Sequence, residues 1–154
     1  RAKMIPSFIR SSEKKRIIEE LNKQFGIEKI PYLLIESGRE KIRAFSGSLS
    51  KEEILQLTTI TLIENIGIYF LNKEDNFRLT LDAVNILKDQ INKNILEIDE
   101  FQLHDWLMGK DLILTTPINQ GAVIIKFKED FLGYGKSTGI KVYNYIPKDR
   151  RLKK

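Results

Sequence analysis

Apolar residues recur at helical spacing in "SEKKRIIEELNKQF", 12–25. Ile17, Ile18, Leu21 and Phe25 share one face, Glu13 sits in the first turn, and Gly26 follows as a stop. The period then falls to two. "YLLIE", 32–36, and "KIRAF", 41–45, read as strands around a Ser37-Gly38 turn. Ser50 and Glu53 have the spacing of a capping box and predict a helix to about Leu62. "IGIYFL", 66–71, is apolar enough for a buried strand, and "KEDN", 73–76, turns the chain into another, "FRLTL", 77–81. Val84, Leu87 and Ile91 then mark one face of a short helix.

The polar segment "KDQINKN", 88–94, is a boundary, and the pattern changes beyond it. A short strand, "ILEI", 95–98, precedes a short helix, "EFQLHDWLMG", 100–109, which Gly109 ends. "LILTT", "GAVIIKFK", "FLGYGKS" and "IKVYNYI" follow as strands, with hairpin links expected at Glu129-Asp130 and around Thr138-Gly139. Strands of this length in succession close into a barrel or curl into half of one. The pattern predicts an α+β chain: a small α/β domain over 1–92 and a β-rich unit with one helix over 93–154.

Charge sharpens that division. Residues 1–109 carry 16 Lys/Arg against 17 Asp/Glu, whereas residues 110–154 carry 10 against 4. The positive excess lies in the last 45 residues, which suggests a polyanionic partner; a solvated basic tail is the plainer alternative. Cys is absent, which removes disulfides, thiolate metal sites and thiol nucleophiles and fits a cytoplasmic protein. No apolar run reaches a membrane span and no signal peptide is visible, so no membrane association is expected. The opening at Arg1 rather than Met fits a fragment.

Gly135-Lys136-Ser137 matches the end of a phosphate-binding loop. The first glycine of that motif would fall at Asp130, and the following "IKVYNYIP" alternates like a strand where a helix is required. No nucleotide cofactor is expected there. His104, the only histidine, reads as a surface or helix-end residue. The pairs Glu52/Glu53, Glu74/Asp75 and Asp99/Glu100 sit where helix starts or turns favour acids. No catalytic residue and no metal site is expected.

Binding features are clearer. Gly133 and Gly135 share one face of a strand, where they either admit another backbone or let the strand bend. In "IKVYNYI", Ile140, Val142, Asn144 and Ile146 face one way and Lys141, Tyr143 and Tyr145 the other. With the apolar face inward, a lysine and two tyrosines stand together outside, an arrangement suited to stacked bases and phosphates. The alternative packs the tyrosines under the preceding helix. Asn144 on the inner face needs a buried partner or an edge position. The tail "KDRRLKK", 148–154, offers Lys148, Arg150 and Arg151 to phosphates.

These residues also carry a resemblance. "GAVIIKFKEDFLGYGKS" resembles the central hairpin of a PUA domain, a small RNA-binding pseudobarrel. "NYIPKDRR", 144–151, resembles the Asn-x-x-Pro-Lys-x-x-Arg ending of the PUA-like domain attached to RNA cytosine methyltransferases of the Nop/Sun type. Where that ending has a Lys just before the Asn, this chain has Tyr143, and Lys141 is the nearest lysine. "FRLTLDAVNIL" followed by "FQLHDWLMGKDL" is similar to two-domain ribosome-biogenesis PUA proteins. The resemblance implies a non-catalytic RNA-binding protein of ribosomal RNA processing, modification or ribosome biogenesis, with rRNA or tRNA as partner. Enzymes of the Nop/Sun type attack the base with a Cys thiolate, which this chain lacks.

The combined expectation assigns Lys136, Lys141, Lys148, Arg150 and Arg151 to phosphates and Tyr143 to stacking. Asn144 either bonds RNA or holds the motif's turn. The N-terminal domain is a spacer or a platform for another RNA-modification or ribosome-assembly protein. The alternatives are a protein-interaction module or accessory subunit, which an exposed apolar patch on the N-terminal domain would favour, and a small-molecule enzyme, which needs a deep pocket of converging ionisable groups.

Overall fold

A computed structural model describes residues 7–61 and 66–153. Leu62 and the final Lys154 lie outside them, but the helix expected to reach Leu62 already ends at Leu57, with Thr58 as its C-cap. Two five-stranded sheets follow one another along the chain.

The first sheet is an antiparallel meander in chain order: β1 (Ser7–Phe8), β2 (Leu33–Ser37), β3 (Lys41–Phe45), β4 (Ile68–Asn72) and β5 (Arg78–Leu79). Helix α1 (Ser11–Phe25) buries Ile17, Leu21 and Phe25, the spacing read from the sequence, and stops at Gly26 in the left-handed region (φ 86°). Those side chains join Leu34, Ile42 and Phe70 of the sheet in one core. Helix α2 (Lys51–Leu57) opens on the expected Ser50/Glu53 capping box and buries Ile54 with Ile35 and Ile66 in a smaller cluster. The turn α3 (Glu74–Phe77) has Asp75 and Asn76 left-handed inside it. Helix α4 (Leu81–Ile86) starts on Thr80, whose hydroxyl accepts from the Ala83 N–H. The expected strand 77–81 shrinks to two residues because Thr80 caps this helix.

The second sheet runs in the order β6 (Ile95–Glu97), β8 (Gly121–Phe127), β9 (Asp130–Ser137), β10 (Lys141–Asn144), β7 (Leu112–Ile113). The pair β6–β8 is parallel and the rest are antiparallel. An irregularity at Ile124/Lys126 and a positive φ at Gly133 curl the sheet into the expected pseudobarrel. The hairpin link is Lys128-Glu129, one residue earlier than expected, because Lys128 takes a left-handed φ of 52° and Asp130 pairs with Phe127.

Helix α5 (Glu100–Leu107) starts on an Asp99/Gln102 capping box and drives Trp106 into the concave face, fully buried with Val123, Ile125 and Val142. Gly135 makes this possible. A Cβ there would lie 2.7 Å from Val142 Cγ1 and 3.0 Å from Trp106 Cη2. The glycine pair divides: Gly133, at a positive φ, bends the strand as one reading expected, whereas Gly135 makes room for a side chain, the Trp106 indole, and not for an incoming backbone. The opposite face supplies Ile124 and Tyr134 to the core built by α1 and the first sheet, so that core continues across the sequence boundary at 92/93.

Candidate nucleic-acid interface

Gly135-Lys136-Ser137 lies within β9, paired on both sides, and not between a strand and a helix. The phosphate-loop geometry is therefore missing, and the alternation of the strand decides what Lys136 does.

Residues paired across antiparallel strands share a face. Tyr143 stands opposite Lys136, and Lys141 stands opposite Ile113. The ammonium of Lys141 lies 4.7 Å from the centre of the Tyr143 ring. Four residues thus form one patch on the convex face, with Tyr143 42% and Ile113 68% exposed. The same face is covered further along by the N-terminal core at Tyr134 and Ile124. The sequence indicated Lys136, Lys141 and Tyr143, but not Ile113, whose partner is fixed only by the register of β7.

Tyr145 departs from the expected row. It leaves the strand after Asn144, stacks edge-on against Tyr134 at 5.4 Å and sits under the Arg78 guanidinium at 4.9 Å. Ile140 departs too: it lies in the link before β10 and is 52% exposed.

The lysines hold carboxylates. Lys136 Nζ donates to Asp75 at 2.9 Å, and this hydrogen bond with the attendant charge raises its pKa. Lys141 pairs with Asp111 at 3.8 Å. Burial, reinforced by the nearby Asp75 charge, pushes the Tyr134 phenol well above its ordinary range. Tyr134 is thus a neutral packing group at physiological pH.

The tail folds back onto α5. Both amide hydrogens of Asn144 are used, donating to Trp106 O at 2.8 Å and Lys110 O at 3.0 Å. Its Oδ1 accepts from the Ile146 N–H at 2.8 Å. Of the two roles read for Asn144, these are the bonds of the turn-holding one. Arg151 Nε donates to Ile146 O at 3.0 Å, and its side chain lies where a Cβ at Gly109 would be, 2.3 Å from Arg151 Cδ. Leu152 N–H donates to Leu107 O, so the chain is tethered to α5 through residue 152. Arg150 reaches Asp82 at the start of α4, at 3.4 Å. Lys148 is exposed, with no ion-pair partner among the described residues. The cations read from the sequence therefore divide: Lys136 and Lys141 flank Tyr143, Arg150 meets α4, and Arg151 packs under α5.

His104 is exposed on α5, and Asp99 and Glu53 serve as capping-box residues. No group of three or more potential metal ligands occurs among the described residues, and no helix among them is long and apolar enough to cross a membrane.

Residues 93–152 match the family model described as the methyltransferase RsmF PUA domain. The PUA resemblance read from the β8–β9 hairpin and the 144–151 ending holds over that span. The chain is 26% identical over 145 residues to the ribosomal RNA small subunit methyltransferase F of Vibrio cholerae serotype O1, covering 92% of this chain and 30% of the relative. It is 33% identical over 79 residues to the protein of the same name from Shewanella oneidensis, covering 51% of this chain and 16% of that one. The chain spans under a third of the length of these relatives.

Proposed function

We propose that this chain is a non-catalytic RNA-binding segment acting in the modification of ribosomal RNA in the cytoplasm. The PUA match over 93–152 and the relatives' names support the RNA class. The observation that carries the site is the exposed row Lys136–Tyr143 with Lys141 over the ring. Tyr143 stacks on a base or ribose, while Lys136 and Lys141 meet the flanking phosphates. Lys148 and Arg150 extend the phosphate track. Asn144 and Arg151 hold the tail in place. The absence of any Cys supports a binding role rather than methyl transfer by attack of a thiolate. The first sheet and its helices act as a spacer or as a platform for a protein partner.

The test uses the full chain and a small-subunit ribosomal RNA fragment, with affinity read by fluorescence anisotropy across a salt series. Neutralising about four phosphates of a single strand gives a slope of log K against log salt near −3. Changing Lys136 and Lys141 together to Ala weakens binding about tenfold or more and flattens that slope. Tyr143→Phe keeps most affinity, whereas Tyr143→Ala loses it by stacking alone, about 1 kcal/mol or more. A salt-independent affinity sinks the reading.

A further inference from the structure

Two of the cations in the proposed track are held by carboxylates from the other half of the molecule. Lys136 on β9 pairs with Asp75 of α3, and Arg150 beyond β10 pairs with Asp82 of α4. These acids flank β5 on either side, and β5 carries Arg78, whose guanidinium lies over Tyr145. The seam between the two sheets is thus closed by salt bridges whose basic members are RNA ligands under the reading above.

We propose that Asp75 and Asp82 occupy phosphate positions in the free protein, and that RNA binding exchanges these carboxylates for phosphates. Neither pair is sealed from solvent. Lys136 and Asp75 expose 46% and 28% of their side chains, and Arg150 and Asp82 expose 46% and 51%. Pairs this wet contribute little to folding, and a phosphate can approach the cation without breaking the core. The seam is also incompletely satisfied. Arg78 Nε is buried without a hydrogen-bond partner among the described residues, so a loosened seam hydrates a donor that the closed one leaves unmet. The acids act as competitors: they lower affinity for any polyanion that cannot displace both, and the N-terminal half thereby tunes selectivity.

This rests on the RNA-binding reading, and the experiment separates the two. In the full chain, Asp75→Asn with Asp82→Asn should bind a fluorescein-labelled RNA hairpin about fivefold tighter than the parent, a gain of about 1 kcal/mol. The control is Glu19→Gln with Glu52→Gln, two exposed acids on α1 and α2 that change the net charge equally. The proposal fails if the control pair gains as much as the seam pair, or if the seam pair gains nothing. A readout without mutation is amide exchange in the parent protein. RNA should speed exchange at residues 74–77 and 81–83, and protection there overturns the proposal. If Lys136→Ala with Arg150→Ala binds as tightly as the parent, the RNA-binding track itself fails, and the exchange with it. If that pair loses affinity while the seam acids change nothing, only the exchange is lost.

Discussion

The two sheets solve the same packing problem in different ways. In the first, every strand pairs with the next in sequence, and both faces are covered, by α1 on one side and α2 on the other. In the second, β6 must find β8 in parallel, and β7 must pair with β10 after two intervening strands. Its concave face is covered by a single helix, whose Trp106 and Leu103 pack there with Ile98, Leu114 and Ile146 from the flanking segments. The first sheet spreads its stability over many local contacts. The second concentrates it in a few side chains that tie distant main chain together: Trp106 to Leu132 O, and Asn144 to Trp106 O and Lys110 O. The same economy leaves one end of its convex face uncovered, which is where the proposed binding row lies.

The comparison predicts unequal sensitivity. Trp106→Ala removes the largest fully buried side chain and a 2.8 Å hydrogen bond to Leu132 O. It should cost about 3–5 kcal/mol, read from the urea midpoint. Ile54→Ala in the small α2 cluster should cost about 2 kcal/mol. Because Ile124 and Tyr134 join the N-terminal core, both variants should still unfold in one transition. Equal losses at the two positions break the contrast, and two separate transitions break the shared core.

Legibility in the sequence follows the same line. The faces of α1, the strands β2 and β3, and the capping box of α2 rest on spacings of two to four residues, so the sequence displays them. Strand β1 does not announce itself, because two residues carry no period. The Lys128-Glu129 turn is hidden because a lysine takes a conformation expected of Gly or Asn. The site was half legible. Alternation in β10 placed Lys141 and Tyr143 outward, but the strand ends at Asn144, and Tyr145 turns away to Tyr134. Asp75, Asp82 and Asp111 look like ordinary turn and helix-start acids. Only the register of distant elements makes them partners of Lys136, Arg150 and Lys141.

A smaller effect sharpens the contrast within the 144–151 ending. Asn144→Ala removes the amide donors to Lys110 O and Trp106 O, the latter keeping the Gly109 N–H, and frees the Ile146 N–H. The loss should be about 2 kcal/mol by thermal melting. RNA affinity of the folded fraction should stay within about twofold, since the amide donors are already used inside the protein. A large affinity loss at unchanged stability would move Asn144 from scaffold to interface.

The smallest effect separates the two capping boxes. In α2 the Glu53 carboxylate accepts from the Ser50 N–H at 3.0 Å, whereas in α5 the corresponding arm to the Asp99 N–H, at 2.9 Å, is the amide of Gln102. The Ser50 backbone N–H, and secondarily its hydroxyl, holds the Glu53 carboxyl below its ordinary pKa. A lowered folded pKa contributes stability above the unfolded value and loses it as pH falls through the folded one. Acidification through about pH 5 to 3 should therefore weaken protection of the Ser50 N–H against exchange more than that of the Asp99 N–H. Glu53→Gln should remove the difference, because an amide arm does not titrate in this range. If the parent's Ser50 amide keeps its protection at the acid end, the carboxylate contributes nothing to the cap, and the start of α2 is held by the Ser50 hydroxyl and the burial of Ile54.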